Sequence, residues 1–272
     1  MAKPESSQLQ LEDLATLLPK PVTALVALPT LGLFYKPEQL NEGRIEVAPM
    51  SAREEKLVAG MRGSNIDEVI DSLLTRCIKS PITPDELVVT DRFYLLLALR
   101  ANSYGEEYNI DLTCPYCDTK GKYVVKIPGE LEMQKAELTD REPFRVKLPS
   151  GIIVGFRLLR GKDLKDIKRN ADVSVSKGYA GDGEPSYLYR LAKQLVSVNG
   201  KSLDMLVAQE FVSRLSAKDS AALKNAYDKK TPGVLTIIKK SCVSCTKEIK
   251  TELPMTAEFF RPEYGGEEIL NG

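Results

Sequence analysis

The chain has 272 residues, 43% of them hydrophobic and 28% charged, with 38 Lys+Arg against 38 Asp+Glu. This is an ordinary globular composition, long enough for one large domain or two smaller ones, and it carries no net field toward nucleic acid or an anionic membrane. The absence of histidine excludes Ser-His-Asp and Cys-His nucleophilic sites, H-E-x-x-H metalloprotease sites and mixed His/Cys zinc sites within this chain.

No apolar run approaches the ~20 residues that cross a bilayer. Met1 to Gln10 is polar and lacks the hydrophobic region of a signal peptide. The expectation is a protein made and kept in a cytosol, where paired cysteines hold metal more often than they form disulfides.

Residues 1–21 read as a tail with one short amphipathic piece, Leu9 to Leu18, ended by Pro19 and Pro21. Residues 22–107 read as a mainly helical body. Val22 to Leu28 is apolar, Pro29 and Gly32 impose a turn, and Ile45 to Val47 is a strand candidate. Ser51-x-x-Glu54 is a capping box, in which each side chain satisfies an orphan amide of the first helical turn. A second helix follows Asn65, with Ile66, Val69, Ile70, Leu73, Leu74, Cys77 and Ile78 at helical spacing. Cys77 lies on that stripe and reads as a buried, inert core thiol. Pro81 and Pro84 precede a third helix from about Asp91, apolar on most sides and therefore central.

The strand Tyr108 to Leu112 runs into a knuckle, Cys114-Pro115-Tyr116-Cys117, and Tyr123 to Ile127 leaves it. A second knuckle, Cys242-Val243-Ser244-Cys245, has similar flanks in Val234 to Ile238 and Ile249 to Leu253. Two C-x-x-C pairs supply four thiolates, the number that a closed tetrahedral structural zinc site needs. Cys114, Cys117, Cys242 and Cys245 are therefore the candidate ligands of one zinc, with an iron–sulfur cluster as the alternative. A simple ribbon spaces its knuckles by roughly 15–20 residues; here 124 residues, 118–241, lie between them. Residues 108–128 and 233–254 are thus two halves of one zinc-ribbon-like element.

Residues 129–232 read as an inserted domain. Phe144 to Leu148 and Ile152 to Leu159 form a hairpin about Pro149-Ser150-Gly151, followed by four helical stretches. The first carries Leu164 and Ile167 and ends near Asn170, before a polar Gly-rich loop at Ser176 to Glu184. The second carries Leu188, Leu191, Ala192 and Leu195 and ends at Asn199-Gly200. Leu203, Leu206, Val207, Phe211 and Leu215 form the third face; Ser216-x-x-Asp219 starts the fourth helix, with Leu223 and Tyr227. Residues 255–272 read as a C-terminal arm whose Phe259, Phe260 and Tyr264 could dock a neighbour. The fold class expected is α+β: a helical body, a discontinuous four-cysteine β element, and an inserted hairpin-plus-helical domain.

No stretch matches a P-loop, a G-x-G-x-x-G after a strand, or an exposed-serine elbow. Glu54/Glu55 and Glu106/Glu107 are adjacent in sequence and so point apart. Lys224, Lys229, Lys230, Lys239, Lys240, Lys247 and Lys250 cluster near the second knuckle. They offer a second reading, a zinc-ribbon nucleic-acid-binding protein, but interspersed acids and Tyr116 as the single aromatic of either knuckle favour a solvated face.

In order, the Leu28 to Tyr35 turn, Met50-Ser51-Ala52-Arg53-Glu54-Glu55, Asp91-Arg92 leading into Leu99-Arg100, Ser103-Tyr104-Gly105-Glu106-Glu107-Tyr108 and Cys114-Pro115-Tyr116-Cys117 form a pattern. The pattern resembles the baseplate hub assembly proteins of contractile-tailed bacteriophages, the T-even-type baseplate family, over about residues 25–250. More weakly, Leu148-Pro149-Ser150-Gly151, Gly161-Lys162-Asp163, Val198-Asn199-Gly200 and the Leu215 to Leu223 helices resemble phage tail-assembly chaperones. The resemblance implies a non-enzymatic tail-baseplate subunit. Its implied partners are other hub, wedge or tail-tube proteins, with self-association or ring assembly and without nucleic acid or membrane. It implies a location in the virion tail baseplate, with the host cytoplasm during assembly. The zinc reading rests on the four cysteines themselves.

Overall fold

The computed structural model describes residues 17–18, 20–40, 42–63, 65–178, 184–255 and 259–260. Most of the expected tail with its Leu9 to Leu18 piece, the centre of the Gly-rich loop, and the arm beyond Phe260 lie outside the described residues. The described part has seven α-helices and several small sheets, the expected α+β class.

In the N-terminal body, β1 (Ala24–Ala27) pairs antiparallel with β2 (Arg44–Val47), Ala24 opposite Val47. The connection folds tightly on itself at Gly32, where φ is +73° and a Cβ would sit 2.7 Å from the Gly43 Cα, so only glycine fits. Helix α1 (Ala52–Ala59) starts at the Ser51 capping box: Glu54 Oε2 accepts from the Ser51 amide at 3.0 Å, and Ser51 Oγ accepts from the Arg53 amide. Helix α2 (Ile66–Cys77) buries Val69, Leu73, Leu74 and Cys77, while Ile66 at its start stays exposed. Helix α3 (Val89–Tyr104) begins two residues before Asp91 and is the central helix, with Leu95, Leu96, Leu97 and Leu99 all buried.

The chain then forms β3 (Glu107–Thr113) and β4 (Lys120–Lys126), paired antiparallel with Thr113 opposite Lys120. After a short β5 (Met133–Gln134) come β6 (Phe144–Lys147) and β7 (Ile153–Phe156). Helix α4 (Gly161–Ser176) runs past Asn170, since nothing in Asn170 to Ser176 breaks it before Gly178 at φ +81°. Helix α5 (Tyr187–Gln194) stops earlier than its apolar spacing suggests. Leu195–Val198 instead is strand β8, paired with β7, and β9 (Lys201–Ser202) completes a four-stranded antiparallel sheet in the order β6-β7-β8-β9. The short apolar run has an open strand edge beside it, and that tertiary pairing overrides the helical spacing.

Helix α6 (Met205–Ser213) is capped by Asp204, whose carboxylate accepts from the Val207 amide at 2.8 Å. The helix turns Ala208 and Val212 inward and leaves Leu206 78% exposed and Val207 half exposed, a correction to the expected face. Helix α7 (Ala217–Lys230) starts at Ser216, which accepts from the Asp219 amide, and buries Leu223. The chain returns through β10 (Gly233–Val234), paired with β5, and ends in the hairpin β11 (Ile237–Ser241) and β12 (Glu248–Glu252).

Two apolar cores result. One joins the helical body to the two ribbon hairpins, through Tyr108, Ile110, Tyr123, Val125, Ile238 and Ile249; the other fills the inserted segment. Phe259 and Phe260 are buried in the first core rather than offered to a neighbour, Phe259 edge-on to Tyr108 with ring centroids 5.1 Å apart. That corrects the expected docking role of these two rings. Arg100, also buried, stacks over both Tyr108 and Phe259 and donates to the Glu107 carbonyl at 2.9 Å, tying the end of α3 to the start of β3.

The insert is seated on the body by a polar seam. The Val89 amide donates to Leu159 O, and the Gly161 amide to Leu87 O, each at 2.9 Å. Arg160 donates to the Phe34 carbonyl and pairs with Glu142 at 2.8 Å. A Cβ on Gly161 would lie 2.1 Å from the Pro84 carbonyl oxygen, so the backbones approach as closely as glycine permits.

Candidate metal centre

Each knuckle is a tight turn at the end of a hairpin, and the two turns are built alike. Cys114 N–H donates to Thr119 O at 3.0 Å and Asp118 N–H to Cys114 O at 2.9 Å. The equivalent bonds in the second knuckle are Cys242 N–H to Lys247 O at 2.9 Å and Thr246 N–H to Cys242 O at 3.1 Å. The residue after each second cysteine, Asp118 or Thr246, takes a left-handed φ of 55° or 60°. The Ser244 amide donates to Cys242 Sγ at 3.4 Å. Beneath the turns the two hairpins share one apolar core through Ile110, Tyr123, Val125, Ile238 and Ile249.

All four sulphurs, Cys114, Cys117, Cys242 and Cys245, lie within 4.8 Å of one another. Sγ of Cys114 is 3.7 Å from that of Cys245, and Cys117 is 3.7 Å from Cys242. These are not disulfides, whose S–S length is about 2.05 Å. A thiolate tetrahedron with metal–sulphur bonds of about 2.3 Å has edges of ~3.8 Å. The sulphurs therefore fit a single ion in an all-cysteine shell, which leaves no open coordination position. Cys114 and Cys242 are buried, with Cys117 and Cys245 nearer solvent.

Thiolates are the ligating form, and the surroundings favour them unevenly. Hydrogen bonds from Thr119, side chain and then backbone, pull Cys117 down to about 6. The Cys245 and Ser244 amides hold Cys242 below the usual thiol range. Despite the Lys247 amide, desolvation and then hydrogen bonding to the other three sulphurs push Cys245 up to about 11. Cys77 stands apart, 2% exposed on the α2 stripe, with burial pushing its thiol up to about 11, as befits an inert core residue.

Three of the lysines near the second knuckle are paired with acids. Lys230 pairs with Asp140 at 2.7 Å and Glu137 at 3.2 Å, Lys240 with Glu130 at 2.6 Å, and Lys250 with Glu248 at 3.2 Å.

A buried polar site lay outside the sequence reading. The carboxylate of Asp91, fully buried on α3, accepts from the Tyr35 hydroxyl at 2.6 Å and from both the amide and the hydroxyl of Thr30. The Val88 amide donates to the Tyr35 hydroxyl at 2.9 Å. Burial pushes Asp91 up to about 6, although its hydrogen bonds oppose the shift. The signal was available: an acid on a helix apolar on nearly every side must find partners inside.

No helix is long and apolar enough to cross a membrane among the described residues. No curated protein and no solved structure matches the chain. A family model described as T4 bacteriophage base plate protein matches residues 34–261. That span takes in the helical body, both knuckles and everything between them, and the chain belongs to the T4 bacteriophage base plate protein family.

Proposed function

We propose that the chain is a non-enzymatic structural or assembly subunit of the hub region of a contractile phage tail baseplate. In it, Cys114, Cys117, Cys242 and Cys245 hold one structural zinc. Family membership supports a baseplate structural role and interaction with other baseplate proteins. The observation that carries the metal part is the meeting of four sulphurs within 4.8 Å from knuckles 124 residues apart. Zinc supplies no redox or Lewis-acid chemistry here; it fixes where the inserted segment leaves the ribbon and where it returns.

A single tetrahedral ion accounts for four sulphurs all within 4.8 Å of one another better than an iron–sulfur cluster, whose terminal thiolates are shared among two or more irons and spread further. The partners proposed are hub, wedge or tail-tube proteins or further copies of the chain, met in the host cytoplasm during assembly. Mass spectrometry of purified tail particles and of their assembly intermediates tests the reading. The chain is expected in one or both; its absence from both would sink the proposal.

A further inference from the structure

We infer that the knuckle tip of the ribbon is a docking knob, anchored by Tyr116 and Val243, that seats in an acidic-rimmed apolar pocket of another baseplate protein. The inference rests on the baseplate-subunit reading and names a surface for it. Tyr116 is 59% exposed and Val243 66% exposed. Both are middle residues of a C-x-x-C turn, positions that need only bend the chain and lend amides to sulphur. Neither side chain contributes to the core beneath, so folding does not explain two large apolar groups there.

The tip is also preorganised. Lys247 Nζ, two residues past the second knuckle, lies 4.8 Å from the centre of the Tyr116 ring of the first, a cation–π contact between the two hairpins. Rigid, exposed tyrosines are favoured interface anchors because little freedom is lost on binding. In a chain of zero net charge, residues 111–122 and 239–250 carry six lysines against three carboxylates, Asp111, Asp118 and Glu248, with Lys240 also paired to Glu130. Lys120, Lys122 and Lys247 are exposed and form no ion pair among the described residues. A complementary pocket is therefore apolar at its floor and carboxylate-rich at its rim. A protein fits better than nucleic acid, since Tyr116 is the one ring at the tip and strand binding stacks successive bases on several.

The test is zero-length carbodiimide coupling, which joins lysine amines to touching carboxylates, on tail-assembly intermediates containing the full chain. Expected are links from Lys120, Lys122 or Lys247 to Asp or Glu of another baseplate protein. The double variant Tyr116→Ser, Val243→Ser should keep wild-type metal content and melting temperature but enter intermediates at least about tenfold less well. Equal incorporation of the variant, links only to a second copy, or an association abolished by nuclease would each overturn the knob. If wild-type chain enters neither particles nor intermediates, the baseplate-subunit reading itself fails, a distinguishable result.

Discussion

The ribbon tip and the body–insert seam both join residues distant in sequence, and they are made of opposite materials. At the tip, four sulphurs converge above a thin apolar layer. At the seam there is no short motif, only the backbone bonds of Val89 with Leu159 and Gly161 with Leu87 and the Arg160 contacts to Phe34 and Glu142, beside the body's own Thr30–Tyr35–Asp91 cluster. With the proposed zinc bound, the tip would concentrate its energy in one ion, which contributes roughly 10 kcal/mol or more in small zinc peptides. The seam spreads its energy over hydrogen bonds that net about 1 kcal/mol each. The insert is moreover closed at its base by β5 with β10 and by Lys230 with Asp140. The ~4 kcal/mol of loop-closure entropy for so long a segment is therefore shared rather than met by the metal alone.

The largest effect should come from breaking the tip. Cys114→Ala or Cys242→Ala is expected to abolish stoichiometric metal and lower the melting temperature by about 10 °C or more, read by elemental analysis and thermal unfolding. The seam should be untouched: protection of the Val89 and Gly161 amides from hydrogen exchange should persist in those variants at temperatures where they remain folded.

Next comes the seam itself. Gly161→Ala places a Cβ 2.1 Å from a backbone carbonyl oxygen, which side-chain rotation cannot relieve. A loss of about 2–3 kcal/mol in denaturant unfolding is expected, with metal content unchanged. Tyr35→Phe should cost less, about 1–3 kcal/mol, by orphaning the Val88 amide and removing one donor from Asp91.

The last effect is a matter of sign, and it separates the two junctions. With Asp91 raised to about 6 in the folded chain from an ordinary carboxylate value, its protonated form favours folding. That contribution is full below about pH 4 and is lost as pH rises through about 6, on the order of 3 kcal/mol. The thiolate tip behaves in reverse, releasing metal as acid protonates its sulphurs. Unfolding measured on metal-free protein from pH 4 to 7 should show the Asp91 slope, and Asp91→Asn should flatten it.

The same contrast explains what was legible in the sequence. The cysteines could be read because each knuckle is four residues of distinctive chemistry, and Ser51-x-x-Glu54 and the α2 stripe because their periods are local. The seam is legible only in part: Asp91 on a largely apolar helix announces that it needs partners, but only the folded chain identifies them as Thr30 and Tyr35. Leu195–Val198 was missed for a related reason, since an apolar run takes its structure from the strand edge waiting beside it. Phasing α6 from its apolar residues points Leu206 and Val207 inward, whereas the core takes Ala208 and Val212 instead.

Metal analysis of freshly purified full-length chain with its thiols kept reduced tests the central claim most directly. The account predicts about one zinc per chain, colourless in the visible. Finding no metal, or iron with inorganic sulfide and a visible absorption band, would contradict it.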